Sequence, residues 1–145
     1  MGKSEALAAW LDQAVDTPRQ WGVHDCNLWP ADWVVRCGHA DPAAEWRGLY
    51  TTPLGAARLV EDAGGMTQLW CDAANGVGLV VTPRPLAGDV GLIEVMTSDR
   101  DPLAIFGRCG AICMGAGQWA VVSEHGLFMA QRPVIAAWRV PWLGQ

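Results

Sequence analysis

The chain has 145 residues, 51% hydrophobic and 17% charged, with 15 Asp and Glu against 10 Lys and Arg for a net charge of −5. This length fits one domain spanning residues 1–145 around a single core, which buries about 70% of the surface an unfolded chain exposes and needs no metal or disulfide to fold. The apolar balance speaks against disorder, the lack of any run near 20 apolar residues against membrane insertion, and the scattered basic residues against a nucleic-acid partner.

Met1-Gly2-Lys3-Ser4-Glu5-Ala6 has neither the apolar stretch nor the cleavage site of a signal peptide, and Ala6 stands where a myristoylation signal needs Ser or Thr. The expectation is synthesis and folding in a host cytoplasm. Leu7, Trp10, Leu11, Ala14 and Val15 recur at helical spacing, with Ser4 placed to cap and Pro18 to stop the helix. After a loop over 17–24, Asp25 sits as the N-cap of a second helix bearing Trp29, Trp33, Val34 and Cys37, with Gly38 at its end. Pro30 cannot donate to the Cys26 carbonyl, so the first turn is expected to be loose.

Asp41-Pro42 predicts a short third helix through Trp46, and Thr52-Pro53 a fourth that closes at Gly64-Gly65. Thr67 is a candidate cap for one more, ending near Asn75-Gly76. The pattern then changes. Short β-type runs fall at 79–81, 90–95, 110–114, 119–122, 127–129 and 135–140, separated by Gly, Pro or charged residues, with Glu124-His125-Gly126 as a hairpin loop. Helices over 1–77 followed by about five antiparallel strands over 78–145 predict an α+β fold with segregated layers.

Cys26 is the first residue to weigh for chemistry. A thiol at a helix N-terminus feels the positive end of the macrodipole and nearby unpaired amides, which favour the thiolate nucleophile. A buried, inert cysteine is the competing reading. Catalysis also needs a base, and three histidines offer one. His24 lies on the entering loop and can swing toward the sulfur. His39 follows the far end of the helix, beyond Cys37, which is already eleven steps and about 16 Å from Cys26. His125 sits in the hairpin loop, where exposure is expected.

The same separation rules against zinc on the His24/Cys26 and Cys37/His39 pairs, since its ligands must converge within about 2.3 Å of the ion. Cys109 and Cys113 fall in a strand, where four steps span about 13 Å. An odd count of five cysteines argues against a disulfide framework. No metal or cofactor is therefore expected. Gly115-x-Gly117-x-x-Ala120 matches a dinucleotide fingerprint only formally, because a strand rather than a helix follows. Nine Trp against one Tyr and two Phe suit either core filling or an interface rich in indoles.

Trp21-Gly22-Val23-His24-Asp25-Cys26, followed by Gly88-Asp89-Val90, resembles the NlpC-type, papain-like cell-wall endopeptidases. The resemblance implies a Cys nucleophile at a helix start and a His base opening the next strand, but Arg108 stands at that position. An Arg stays protonated and accepts no proton from a thiol. The whole layout is similar to a phage-encoded family of tail modules in long-tailed phages and prophages. Its landmarks are Trp21-Gly22, Asp25-Cys26, Asp41-Pro42, Trp46-Arg47-Gly48-x-Tyr50, Gly64-Gly65, Gly88-Asp89-Val90, Gly126-Leu127 and Ala137-Trp138-Arg139-Val140.

That resemblance implies a structural virion protein of the tail tip or baseplate, peptidase-like in fold. Its expected neighbours are the hub, the distal tail protein and the central fibre, held through Trp-rich apolar surface. The alternative is a thiol-dependent peptidoglycan hydrolase acting during DNA delivery, with Cys26 as nucleophile and His24 as base. A third reading is a phage accessory protein that binds a host factor.

Overall fold

The computed structural model describes residues 1–95 and 107–144. Four helices come first: α1 (Lys3–Ala14), α2 (Leu28–Arg36), α3 (Pro53–Asp62) and α4 (Met66–Gly76). Six strands follow: β1 (Val80–Val81), β2 (Val90–Glu94), β3 (Arg108–Gly115), β4 (Gln118–Ser123), β5 (Gly126–Gln131) and β6 (Val134–Arg139). They form one antiparallel sheet in the order β1-β6-β2-β3-β4-β5. The α+β order expected from the sequence is present, with six strands among the described residues rather than about five.

Local chemistry explains most boundaries and corrects others. Thr52 caps α3 through its hydroxyl, which accepts the Gly55 amide at 3.0 Å, and Pro53 opens the helix. Gly64 and Gly65, at φ +93° and +111°, turn the chain where an L side chain would be strained. Ser4 and Thr67 are not caps: both lie inside their helices, and Gly2 and Gly65 hold the N-cap positions.

The short helix expected at 42–46 is instead a series of turns. Asp41 does accept the Ala43 amide at 2.9 Å, but Gly48, at φ +79°, stops the segment before a helical nucleus can be offset by propagation. The glycines of 115–120 belong to the β3–β4 hairpin. Ala116 and Gly117 both have positive φ, as a tight hairpin turn requires, so no phosphate-binding loop forms there.

The helices meet the sheet at a few close points. Gly110 of β3 has no Cβ, and the space a Cβ would fill is occupied by the Cys26 carbonyl just ahead of α2. Trp138 of β6 stacks on Trp70 of α4 at 6.0 Å between ring centres, and Trp70 meets Trp46 edge-on at 5.5 Å. Trp33 packs with Trp10 and Trp142, at 5.8 and 6.4 Å.

Trp29, Trp33, Trp46, Trp70, Trp119 and Trp138 are buried, while Trp10, Trp21 and Trp142 are half-buried against the core. None is fully exposed, and only Trp10, Trp21 and Trp142 keep part of their indole surface open to solvent. The indoles fill the interior because each brings a large apolar body. Two of the buried N–H groups find acceptors, Trp33 Nε1 donating to the Gly88 carbonyl at 2.8 Å and Trp70 Nε1 to Asn27 Oδ1 at 2.9 Å, while Trp10 Nε1 is buried without one.

A buried carboxylate ties the sheet to its flanks. Asp89 accepts the Leu86 and Val140 amides at 2.8 and 2.9 Å and Arg139 Nε at 2.9 Å. Lys3, on α1, donates to the Val140 carbonyl at 2.5 Å. The start of the chain is thereby fastened to the end of the last strand.

Candidate functional site

The segment from Gly22 to Leu28 converges on Asp25, whose side chain is fully buried. Its Oδ1 accepts the amides of Asn27 and Leu28 at 3.0 and 2.9 Å, so it does the bonding of a cap at the head of α2, although the N-cap position the sequence gives to Asp25 is held by Asn27, two residues later. Its Oδ2 accepts the Gly22 amide at 3.0 Å and the Tyr50 hydroxyl at 2.7 Å. Gly22, at φ +83°, lies against the Tyr50 carbonyl, where any Cβ would collide. Burial, and then the adjacent Asp25 charge, pushes the Tyr50 phenol far above its ordinary range, so it remains a donor. Asn27 extends the network to α4 by accepting from Trp70.

This arrangement changes the meaning of Cys26. The amides at the head of α2, expected to favour a thiolate, are taken by the Asp25 carboxylate. The Cys26 side chain is sealed in the core at 1% exposure. No hydrogen bond among the described residues joins its sulfur to an imidazole.

Each histidine is engaged elsewhere. His24 is half-buried, edge-on to Trp29 at 6.3 Å, in a small cleft of about 200 Å³ shared with Trp10, Gln13 and Asp32. Its Nε2 is buried without a partner. Burial lowers its pKa, with Asp32 and Asp25 pulling the other way, so at neutral pH the ring is mostly uncharged. His39 Nε2 lies 2.7 Å from the Pro141 carbonyl. His125 is 87% exposed beside Glu124.

The structure does bring the opening of β3 to the head of α2, through Gly110 against Cys26 and Pro30. Arg108, two residues earlier on that strand, sends its guanidinium to Thr67 Oγ1 of α4 at 2.7 Å. Among the described residues no cluster of His, Cys, Asp and Glu could hold a metal ion. No helix among them is long and apolar enough to cross a membrane.

Sequence reasoning singled out Asp25 as a cap but missed the roles of Tyr50, Asn27 and Asp32. The first two join Asp25 and Trp70 over 25 and 43 residues of chain, which no local pattern reveals. Asp32 is bonded to Arg47, which also bonds Asp41 at 2.6 Å. Burial raises the Asp32 pKa, with the Arg47 hydrogen bond and charge opposing.

A family model described as a domain of unknown function (DUF6950) matches residues 2–140. No curated protein and no solved structure matches the chain.

Proposed function

The chain belongs to the DUF6950 family, and we propose that this member is a structural component of a phage tail tip or baseplate, docking on the tail hub with a peptidase-like fold that no longer hydrolyses. One observation supports the non-hydrolytic part above others: Cys26 is sealed at 1% exposure while the helix-head amides beside it are bonded to Asp25. A nucleophile must meet both its base and its substrate. The tail placement draws on the resemblance of the landmark residues. In the fold, several of these act as fastenings: Asp25 with Gly22 and Tyr50, Gly88-Asp89 with Trp33 and Arg139, and Asp41 with Arg47.

The hydrolase alternative draws on a single favourable fact. Burial keeps the His24 imidazole uncharged and so able to accept a proton. Yet that ring belongs to the cleft with Trp29 and Asp32 rather than to the sulfur.

The test is genetic and biochemical together. Cys26→Ala in the phage or prophage that encodes the chain should leave particle yield and plaque count unchanged, and the protein should be found in purified particles by mass spectrometry. Normal particles with lost infectivity would overturn the structural reading. So would release of peptides from purified sacculi that an alkylating agent abolishes. Absence of the chain from particles would discard the tail assignment.

A further inference from the structure

We propose that the groove between α3, α4 and the turns over residues 41–49 is a docking site for a basic amphipathic helix of a partner protein. The inference rests on the reading of the chain as a docking component and names the surface it would use. The groove encloses about 570 Å³ over a floor that includes Trp46, Leu59 and Leu69, with Leu49 standing 65% exposed at its lip. That volume falls within the range of sites that receive several apolar groups at once. Two of its walls are the helices joined at Gly64-Gly65, and a trough between helices is the shape into which the apolar stripe of a third helix packs.

Charge identifies the occupant. Asp41, Glu45, Asp62 and Asp72 line the groove, and no Lys, Arg or His does. Asp41 is answered by Arg47. Its pKa feels burial first, which would raise it, but the Arg47 hydrogen bond, the Ala43 amide and the Arg47 charge outweigh that and hold it below the usual value. Asp72 accepts only the neutral Gln68 amide, at 2.8 Å. Glu45 and Asp62 form no ion pair among the described residues. Three carboxylates without an ion pair around an apolar floor give the groove a negative potential, and a segment with leucine-like anchors flanked by Lys or Arg complements that potential while covering the floor. A second copy of this chain, carrying the same acidic groove and a net charge of −5, is a poor fit by the same criterion.

The probe is a synthetic peptide of about 14 residues, long enough for nearly four helical turns, with Leu at i, i+3, i+4 and i+7 and Lys at the remaining positions. Titrated into the full chain, it should bind saturably and shift amide resonances of α3, α4 and the 41–49 turns. The triple variant Glu45→Lys, Asp62→Lys, Asp72→Lys should weaken binding by about tenfold or more. An equal charge change on α1 and just beyond it, Glu5→Lys, Asp12→Lys, Asp16→Lys, should change it by less than about twofold.

Leu49→Ser, at an exposed position that does not threaten folding, should weaken it severalfold and keeps the test decisive if the groove triple misfolds. Absence of saturable binding overturns the proposal. So do equal losses in the two triples, resonance shifts confined to other surfaces, or equal binding by a peptide with Glu in place of Lys. None of these results bears on the Cys26→Ala experiment, so the groove and the tail assignment fail separately.

Discussion

Removing the Asp25 carboxylate should cost more stability than any other single polar deletion near α2. The side chain is fully buried and accepts four hydrogen bonds: two from the helix-head amides, one from Gly22 and one from Tyr50. Losing a helix cap costs about 0.5–2 kcal/mol. Leaving the Tyr50 hydroxyl buried and unsatisfied adds about 1–3 kcal/mol. The Gly22 amide is only partly buried and finds water more easily.

Since the losses share one site they do not add fully, and Asp25→Ala should destabilise by about 3–4 kcal/mol. Tyr50→Phe removes one bond to a charged acceptor and should cost about 1.5–3 kcal/mol. Asp25→Asn keeps an acceptor for the helix amides but turns a donor toward Gly22 and Tyr50, and should fall between the two.

The assay is urea unfolding followed by Trp fluorescence and circular dichroism. With a slope of about 2 kcal/mol/M, Asp25→Ala should lower the midpoint by about 1.5–2 M with the slope unchanged. In a double-mutant cycle with Tyr50→Phe the two losses should overlap by about 1 kcal/mol or more. A loss below about 1 kcal/mol for Asp25→Ala, or strict additivity in the cycle, would refute the picture of one buried carboxylate holding loop, helix and tyrosine together.

Gly110→Ala places a methyl on the Cys26 carbonyl, and the backbone contact cannot yield as a flexible side chain would. It should destabilise by about 2–3 kcal/mol in the same assay, whereas Gly76→Ala, in a helical position with open space around it, should stabilise by about 0.4–1 kcal/mol. Arg139→Ala removes the cation nearest the buried Asp89, which keeps the Leu86 and Val140 amides, and should cost about 1.5–3 kcal/mol, read as a lower urea midpoint.

Burial pushes the Cys37 thiol up to about 11 from 9.0, with Lys3 and Arg36 opposing. Because the folded value lies above the unfolded one, its contribution is fully present below pH 9.0 and is lost as pH rises through about 11. Cys37→Ala should therefore flatten the decline of unfolding free energy over that window, measured by urea titrations at a series of pH values. An unchanged slope would refute the assignment.

How much of this was legible beforehand varies with the range of the interactions. The Thr52-Pro53 start and Gly64-Gly65 stop of α3 were readable because both signals lie within one turn of the helix end. The six runs of β-type residues found their strands because the residues themselves favour extended backbone, and the hairpin at Glu124-His125 followed from its flanking strands. The failures were also local in appearance. Ser4 and Thr67 had the chemistry of caps, but in each case a glycine two residues earlier took the position. Asp41-Pro42 had the chemistry of a helix start, but Gly48 left no length for one.

The candidate site was legible only in part. Asp25 and Cys26 at a helix head could be read from six consecutive residues, and Arg108, where the resemblance expects a base, from a separate run far downstream. Whether the sulfur was open or sealed could not, since its burial at 1% exposure is a matter of how distant segments pack, as where Gly110 of β3, more than 80 residues downstream, meets the Cys26 backbone.

Sequence by itself determined most of the elements, their order and the identity of the groups available, because periodicity, turns and caps act over a few residues. Tertiary structure alone decided which groups meet. It drew the tryptophans inward, gave the helix-head amides to Asp25, placed His24 with Asp32 and Trp29, and gathered acidic residues from three segments around one groove. Burial and charge proximity are properties of packing between distant segments, and these two quantities set what a thiol, an imidazole or a carboxylate can do.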